Sequence, residues 1–438
     1  MTLFSETDAR RLLERMLAFS RADSCEARLT GRHGGNIRYA RNTVTTSGRV
    51  ANATLSVVST FGQRTGTASI NEFDDESLER VVRRAEELAR LAPENPEFMP
   101  FLGPQTYLET SPWAEATATI TPEFRARAAA AGIAGATSSG LAAAGFLQDN
   151  ASTRALMNTN RLFAYSKSTG VNFSVTARTA DGTGSGWVGR SYNDVSKLDV
   201  AAASEIALQK AIASQNPVAL EPGQYTAILE PDASAPLIRN MLFNMDARRA
   251  DEGRSFLSMP GGGTKLGERV LGDGVTISSD PTNPEVPTTA WASDGRPLTP
   301  VTWVDNGVVT SLFYSRFWAQ QQGVVATVPP SNIIMSGGPD SLQDLIRGTD
   351  RGVLVTRTWY IRTVDPQTLL YTGLTRDGTF WVEGGEIRHA IKNFRFNESP
   401  VAILNNVDAL GRPVRTGGSL IPPMRVRNFT FSSLSDAV

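Results

Sequence analysis

The chain is poor in the residues that carry out most hydrolytic and redox chemistry. Its 438 residues include one cysteine, Cys25, and two histidines, His33 and His389. A single cysteine excludes a disulfide framework and a thiolate zinc ribbon. Two histidines far apart in sequence do not form a zinc hydrolase site, which usually takes about three protein ligands, often two of them one helical turn apart. No run of about 18 apolar residues occurs, so no transmembrane helix is expected. The stretch from Met1 to Asp8 lacks a basic segment followed by an apolar one, so a cytoplasmic location is expected. Neither sign of charge is in excess: 43 Lys and Arg stand against 44 Asp and Glu. That balance rules out a broad basic surface, and no direct nucleic-acid partner is expected.

What is present is a long chain able to bury a large core without covalent staples, with a length suited to two or three domains. Ser5 and Asp8 have capping-box spacing, and Ala9, Leu12, Leu13, Met16 and Leu17 follow at helical period. From Cys25 to about Ser69 the pattern reads as strands, with turn signals at Gly34-Gly35-Asn36 and Phe61-Gly62-Gln63. Asp74-Asp75 caps a second helix through Ala92, whose outer face carries Glu79/Arg83, Arg83/Glu87 and Glu86/Arg90 and is expected to be solvated. Pro93, Pro96 and Pro100 open an irregular connector to about residue 120. Thr121-Pro122 starts a third helix that closes near Gly140. Strands are expected at 161–168 and 171–179 around a Thr169-Gly170 turn, then a fourth helix over 198–213.

Pro217 to Gly223 is the expected domain boundary, dividing the chain into 1–217 and 218–438. After it, a helix over 233–249 precedes a long β-rich tail. Asp305-Asn306-Gly307 and Glu383-Gly384-Gly385-Glu386 are hairpin signals, and a short helix is expected over 400–407. The fold class is α+β: an N-terminal two-layer α/β sandwich with an antiparallel sheet, and a C-terminal β-rich barrel or sandwich.

Sequence motifs for common chemistries are weak. Gly184-Ser185-Gly186-Trp187-Val188-Gly189 has the letters of a dinucleotide fingerprint, but Arg190 to Asp194 reads as loop where a helix is required, and a Gly-rich surface loop is expected. There is no nucleophile elbow and no Walker A loop. His33 reads as a turn residue, His389 as a strand residue and Cys25 as a buried inert thiol. The helix after Pro231 presents Leu237, Ile238, Met241, Leu242 and Met245 as one apolar face. Its polar end carries Asp251, Glu252 and Arg254.

Taken in order, several segments resemble the TldD/PmbA family, also called modulators of DNA gyrase. They are 156–160 leading into 171–175, 222–226, 266–268, 304–307 and the stretch from Pro423 to Phe429. The resemblance implies two kinds of subunit. One carries H-E-x-x-x-H on the helix after Pro231, with two His on zinc and Glu as base, and adds a Cys ligand near the C-terminus. In this chain those positions match Arg239, Asn240 and Asn244, and the segment from Gly411 to Gly418 has no Cys. An arginine repels a divalent cation and carboxamides are poor zinc ligands.

The resemblance therefore implies a subunit of the PmbA/TldE kind that binds no metal itself. It would pair with a TldD-like catalytic subunit carrying the zinc, and the pair would act on unfolded or modified peptides held extended by strand addition. Two alternatives stand beside this reading. One is an independent hydrolase using Asp251, Glu252 and Arg254, which requires carboxylates with split pKa values. The other is a non-enzymatic binding or regulatory module. An obligate pair implies an apolar interface of roughly 2,000 Å² or more, for which Trp303, Phe313, Tyr314, Phe317 and Trp318 are candidates.

Overall fold

The computed structural model describes residues 3–435. The first half contains α1 (Glu6–Ala18), β1 (Ser24–Ala40), β2 (Thr43–Phe61), β3 (Arg64–Ile70), α2 (Asp75–Leu91), α3 (Glu115–Ala118), α4 (Pro122–Ser138), β4 (Ala142–Asn158), β5 (Phe163–Arg178), β6 (Ser185–Tyr192) and α5 (Val200–Ala213). Six strands form one antiparallel sheet in the order β3-β2-β1-β4-β5-β6. Odd-numbered residues of β1 and β4 point to one face, as the two-residue period of a strand dictates. Cys25, Ala27, Leu29, Ala155 and Met157 there meet α1 and α2, whereas Ile37, Tyr39, Ala143 and Leu147 meet α4 and α5. This is the expected two-layer sandwich.

Between these two patches, on the same face, Arg125 of α4 makes a bidentate ion pair with Asp149 of β4 (2.5 and 2.8 Å), and the Gly35 N–H donates to the same carboxylate. This corrects the reading of Gly34-Gly35-Asn36 as a turn. Strand β1 runs straight through, and a Cβ on Gly35 would lie 2.3 Å from the Arg125 guanidinium carbon. The glycine makes room for the buried pair. The chain reverses instead at Arg41 and Asn42, both with positive φ. His33 likewise lies within β1, its Nε2 3.0 Å from the Ala118 carbonyl.

Thr169-Gly170 is also not a turn, because β5 is continuous through it. Thr169 anchors the connector: its N–H donates to Pro112 O and its Oγ1 accepts from the Ala114 N–H. Gly170 lets Asn150 approach from β4. The reversal lies at 159–162, where Asn158 Oδ1 caps the turn. On α2 the charged face is not wholly solvated. Glu86 is buried, accepting from Arg83 and from the Arg21 N–H, while Arg90 lies over the Phe61 ring.

The second half contains β7 (Gly223–Leu229), α6 (Pro231–Phe243), α7 (Ala247–Asp251), β8 (Ile277–Ser279), β9 (Val301–Asp305), β10 (Val308–Val309), α8 (Arg316–Gln322), β11 (Ile334–Met335), α9 (Leu342–Arg347) and β12 (Arg351–Val355). There follow β13 (Thr358–Asp365), β14 (Leu370–Thr375), β15 (Thr379–Glu383), β16 (Glu386–Ala390), β17 (Asn393–Glu398), α10 (Pro400–Asn405), β18 (Val407–Leu410), β19 (Val414–Thr416), β20 (Ser419–Ile421) and β21 (Met424–Ser435). One sheet runs β13-β14-β17-β21-β7-β12-β15-β16 with β18 on β21, and the other runs β10-β9-β8-β11-β20-β19. Both are open, so the β-rich unit is a sandwich; among the described residues no barrel closes. Both glycine and Asn-Gly hairpins form as expected, at β9–β10 and β15–β16.

Helix α6 is the centre of this core. Leu237, Ile238, Met241 and Leu242 are buried against Phe394, Phe396, Phe429 and Phe431 from one sheet and Ile277, Trp303 and Met335 from the other. The expected helix over 233–249 is broken after Phe243. Asp246 starts α7 as its N-cap, accepting from the Arg249 N–H, and the Ala247 N–H donates to Phe313 O. A capping aspartate and the crossing segment at Phe313 outweigh the helical period at that point. The aromatic candidates for an interface prove to be mostly core. Trp303 is fully buried and donates to Ser279 Oγ; Phe313, Tyr314 and Trp318 pack on the same cluster. Exposed aromatics occur on the sheet edge β13, at Trp359 and Tyr360.

Candidate functional site

The two halves are bolted together around a cleft. Lys210 of α5 pairs with Glu230, just before α6 (2.6 Å). Asp377, fully buried, accepts from Ser185 Oγ of β6 on one oxygen and from Arg357 on the other (both 2.7 Å). Arg415 of β19 donates to Ser191 O (2.6 Å) and Asn193 Oδ1 (2.8 Å). These ties bring the outer edge of β6 against the first turns of α6 and against the turn between β19 and β20.

The resulting cleft has a volume of about 440 Å³, within the range of small-molecule and peptide sites. Its walls include Phe173, Trp187, Gly189 and Arg190 from the N-terminal sheet, Asp232, Pro236, Arg239 and Asn240 from α6, Arg357 and Thr358 at the start of β13, and Thr416 and Gly417. Arg357 lies over the Trp187 ring, 4.0 Å from its centroid. Arg239 donates to Gly417 O (3.1 Å). The tertiary fold thus joins the α6 positions to the segment from Gly411 to Gly418, which lie far apart in the chain.

Of the residues singled out from sequence, Arg239 and Asn240 line this cleft. Asn244 is the C-cap of α6 and is turned to the helix end: its Nδ2 donates to Asn240 O, and its Oδ1 accepts from Arg249. Asp251, Glu252 and Arg254 are not among the lining residues. Asp251 accepts from the Trp318 indole (2.7 Å), and Glu252 accepts from Arg254 and Arg248, which hold its carboxyl below the usual range. Arg248 in turn reaches Glu97 of the connector.

The lining residues that sequence reasoning missed include Trp187, Arg190, Asp232 and Arg357. The Gly184–Gly189 motif was the available signal. From Ser185 on it is strand rather than surface loop, and Gly184 and Gly186 admit the backbone of α5, since a Cβ there would lie 2.3 and 2.1 Å from the carbonyls of Ala211 and Ala207. Asp232 is the most perturbed acid of the cleft. Among the described residues nothing donates a hydrogen bond to its carboxylate, and burial, reinforced by Glu230, raises its pKa from 3.8 to about 6 against the pull of Lys210, Arg190 and Arg357.

The donor set does not fit zinc. A guanidinium and two carboxamides stand at the positions of interest, one carboxamide already engaged at both ends, and no Cys lies on the adjacent turn. Among the described residues no group of three His, Cys, Asp or Glu side chains is placed to hold a metal ion.

Fold and cleft define the class: an α+β chain whose candidate site lies on the seam between an antiparallel sheet layer and a β-rich sandwich. Family models described as PmbA/TldA metallopeptidase match it in three blocks, domain 1 over residues 25–89, the central domain over 118–215 and the C-terminal domain over 222–433. The chain belongs to the PmbA/TldD family. A curated protein named metalloprotease from Methanothermobacter thermautotrophicus is 27% identical over 215 residues, 44% of this chain and 44% of that protein, so the match spans under half of that relative. TldE from Thermococcus kodakarensis superposes with a TM-score of 0.87 at 17% identity, covering 98% of this chain and 100% of that one. A Thermotoga maritima structure described as a modulator of a DNA gyrase gives 0.86 at 18% identity, with 97% and 100% covered. At these identities the likeness speaks for the fold alone.

Proposed function

We propose that this chain is the metal-free, TldE-like member of a two-subunit zinc peptidase. Its role is to complete a peptide groove beside a TldD-like catalytic subunit in the cytoplasm. The reading rests on one observation: a family scaffold in which the α6 positions and the β19–β20 turn meet in a cleft but offer Arg239, Asn240 and Gly417 instead of metal ligands. The zinc and the general base would then reside in the partner. Apolar and polar walls with an adjoining strand edge suit an extended peptide, whose backbone can be held without a side-chain code.

The test is co-expression with H-E-x-x-x-H relatives from the same genome, followed by zinc analysis and peptide-cleavage assays on each chain alone and on the pair. The expected result is a stable heterodimer with zinc in the partner and cleavage only by the pair. Stoichiometric zinc at submicromolar affinity in this chain alone, together with cleavage by it, would overturn the proposal.

A further inference from the structure

The cleft holds two guanidiniums that no carboxylate among the described residues meets in a salt bridge, although Arg190 lies near enough to Asp232 to act on its charge. Arg190 donates to the carbonyl of its neighbour Gly189 (2.8 Å), and Arg239 to Gly417 O (3.1 Å). Neither is within ion-pair distance of a carboxylate among the described residues, whereas Arg357, on the third wall, is neutralised by Asp377. The one acid of the cleft is Asp232, and it makes no hydrogen bond to any of them. Two charged forks facing a concave space are a recognition element for a carboxylate or phosphate oxygen pair.

The neighbouring strand says what the anion is attached to. Ser185 exchanges hydrogen bonds with Ser214 Oγ through both its N–H and its C=O, and Ser191 O accepts from Arg415. Odd-numbered residues of β6 therefore direct their backbone groups away from β5, by the two-residue period of the strand. Trp187 and Gly189 are the odd residues between them, and both line the cleft. An extended chain laid along this edge would run beside Arg190 at one end. Asp232 bears on the charge of the ligand: a dianionic phosphate is repelled more strongly by it than a monoanion.

We infer that Arg190 and Arg239 form an anchor for the C-terminal carboxylate of an extended peptide, so that the cleft receives peptides by their carboxyl end. This rests on the peptide-groove reading above and adds an end-specificity to it.

The experiment uses the full chain and a degenerate octapeptide pool made as free acids and as C-terminal amides, with inorganic phosphate as a third probe. Affinities are measured for the wild type and for Arg190→Gln and Arg239→Gln, whose melting curves are recorded to confirm folding. The free acids are expected to bind at least about tenfold more tightly than the amides, a charge-assisted pair, with that ratio falling towards one in both variants. Equal binding of acids and amides would overturn the anchor while leaving the groove standing. Absence of binding by either pool would overturn anchor and groove together. Phosphate binding as tightly as the free acids, or an acid preference that survives in both variants, would also overturn the anchor.

Discussion

Replacing Asp232 by Asn should stabilise the fold, and only above a definable pH. The carboxylate sits half-buried at the start of α6, with no hydrogen bond from the described residues, and its pKa rises from 3.8 to about 6. As pH rises the unfolded chain gives up this proton first. Stability is therefore unaffected by this group below about pH 4, falls as pH climbs through about 6, and then levels off. A shift of about two units corresponds to about 3 kcal/mol at the plateau, and partial access of solvent reduces this to about 1–2 kcal/mol. Urea unfolding of wild type and Asp232→Asn at pH 4, 5, 6 and 8 measures it. The two proteins should coincide at pH 4, with the variant more stable by that amount at pH 8. A constant difference at every pH would mean the amide acts by packing. A variant less stable at pH 8 would mean that Arg190 and Arg357 over-compensate burial, and either result would refute the electrostatic account.

Other expectations follow from the same geometry. Arg125→Met strands Asp149 in the sandwich core with one remaining N–H donor and should cost about 3–5 kcal/mol, with the double replacement Arg125→Met/Asp149→Leu recovering most of it in urea titrations. Gly186→Ala drives a Cβ to 2.1 Å from Ala207 O and should cost about 2–3 kcal/mol by displacing α5. Gly182→Ala, at φ +74 in open space, should cost only about 1 kcal/mol of backbone strain, read as a smaller fall in melting temperature. Asp377→Ala removes the acid that holds both Ser185 and Arg357 and should lower stability by about 3 kcal/mol, with Trp187 fluorescence reporting the loosened cleft wall.

Local signals in the chain determined most of the scaffold. Caps and apolar period placed α1, α2 and α4, because Ser5, Asp74 and Thr121 each accept an N–H of their own first turn. Asn-Gly and Gly-Gly chemistry placed two hairpins of the β-rich half, since positive φ is a demand made within two residues. That Arg239, Asn240 and Asn244 are poor metal ligands was equally legible, being a matter of residue type alone. Glycines misled wherever their reason was a distant atom. Gly35 yields to Arg125, Gly170 to Asn150 and Gly186 to α5, and none of these partners is near in sequence. The break between α6 and α7 had the same origin, in Phe313 crossing from afar. The cleft belongs wholly to this second kind. Trp187 and Arg190 of β6, Asp232, Arg357 and Gly417 come from four separate segments, and only the packing of the sandwich layer on the β-rich half makes them neighbours. A charge acquires its chemistry from what surrounds it, and for Arg190 and Arg239 those surroundings are a property of the folded chain.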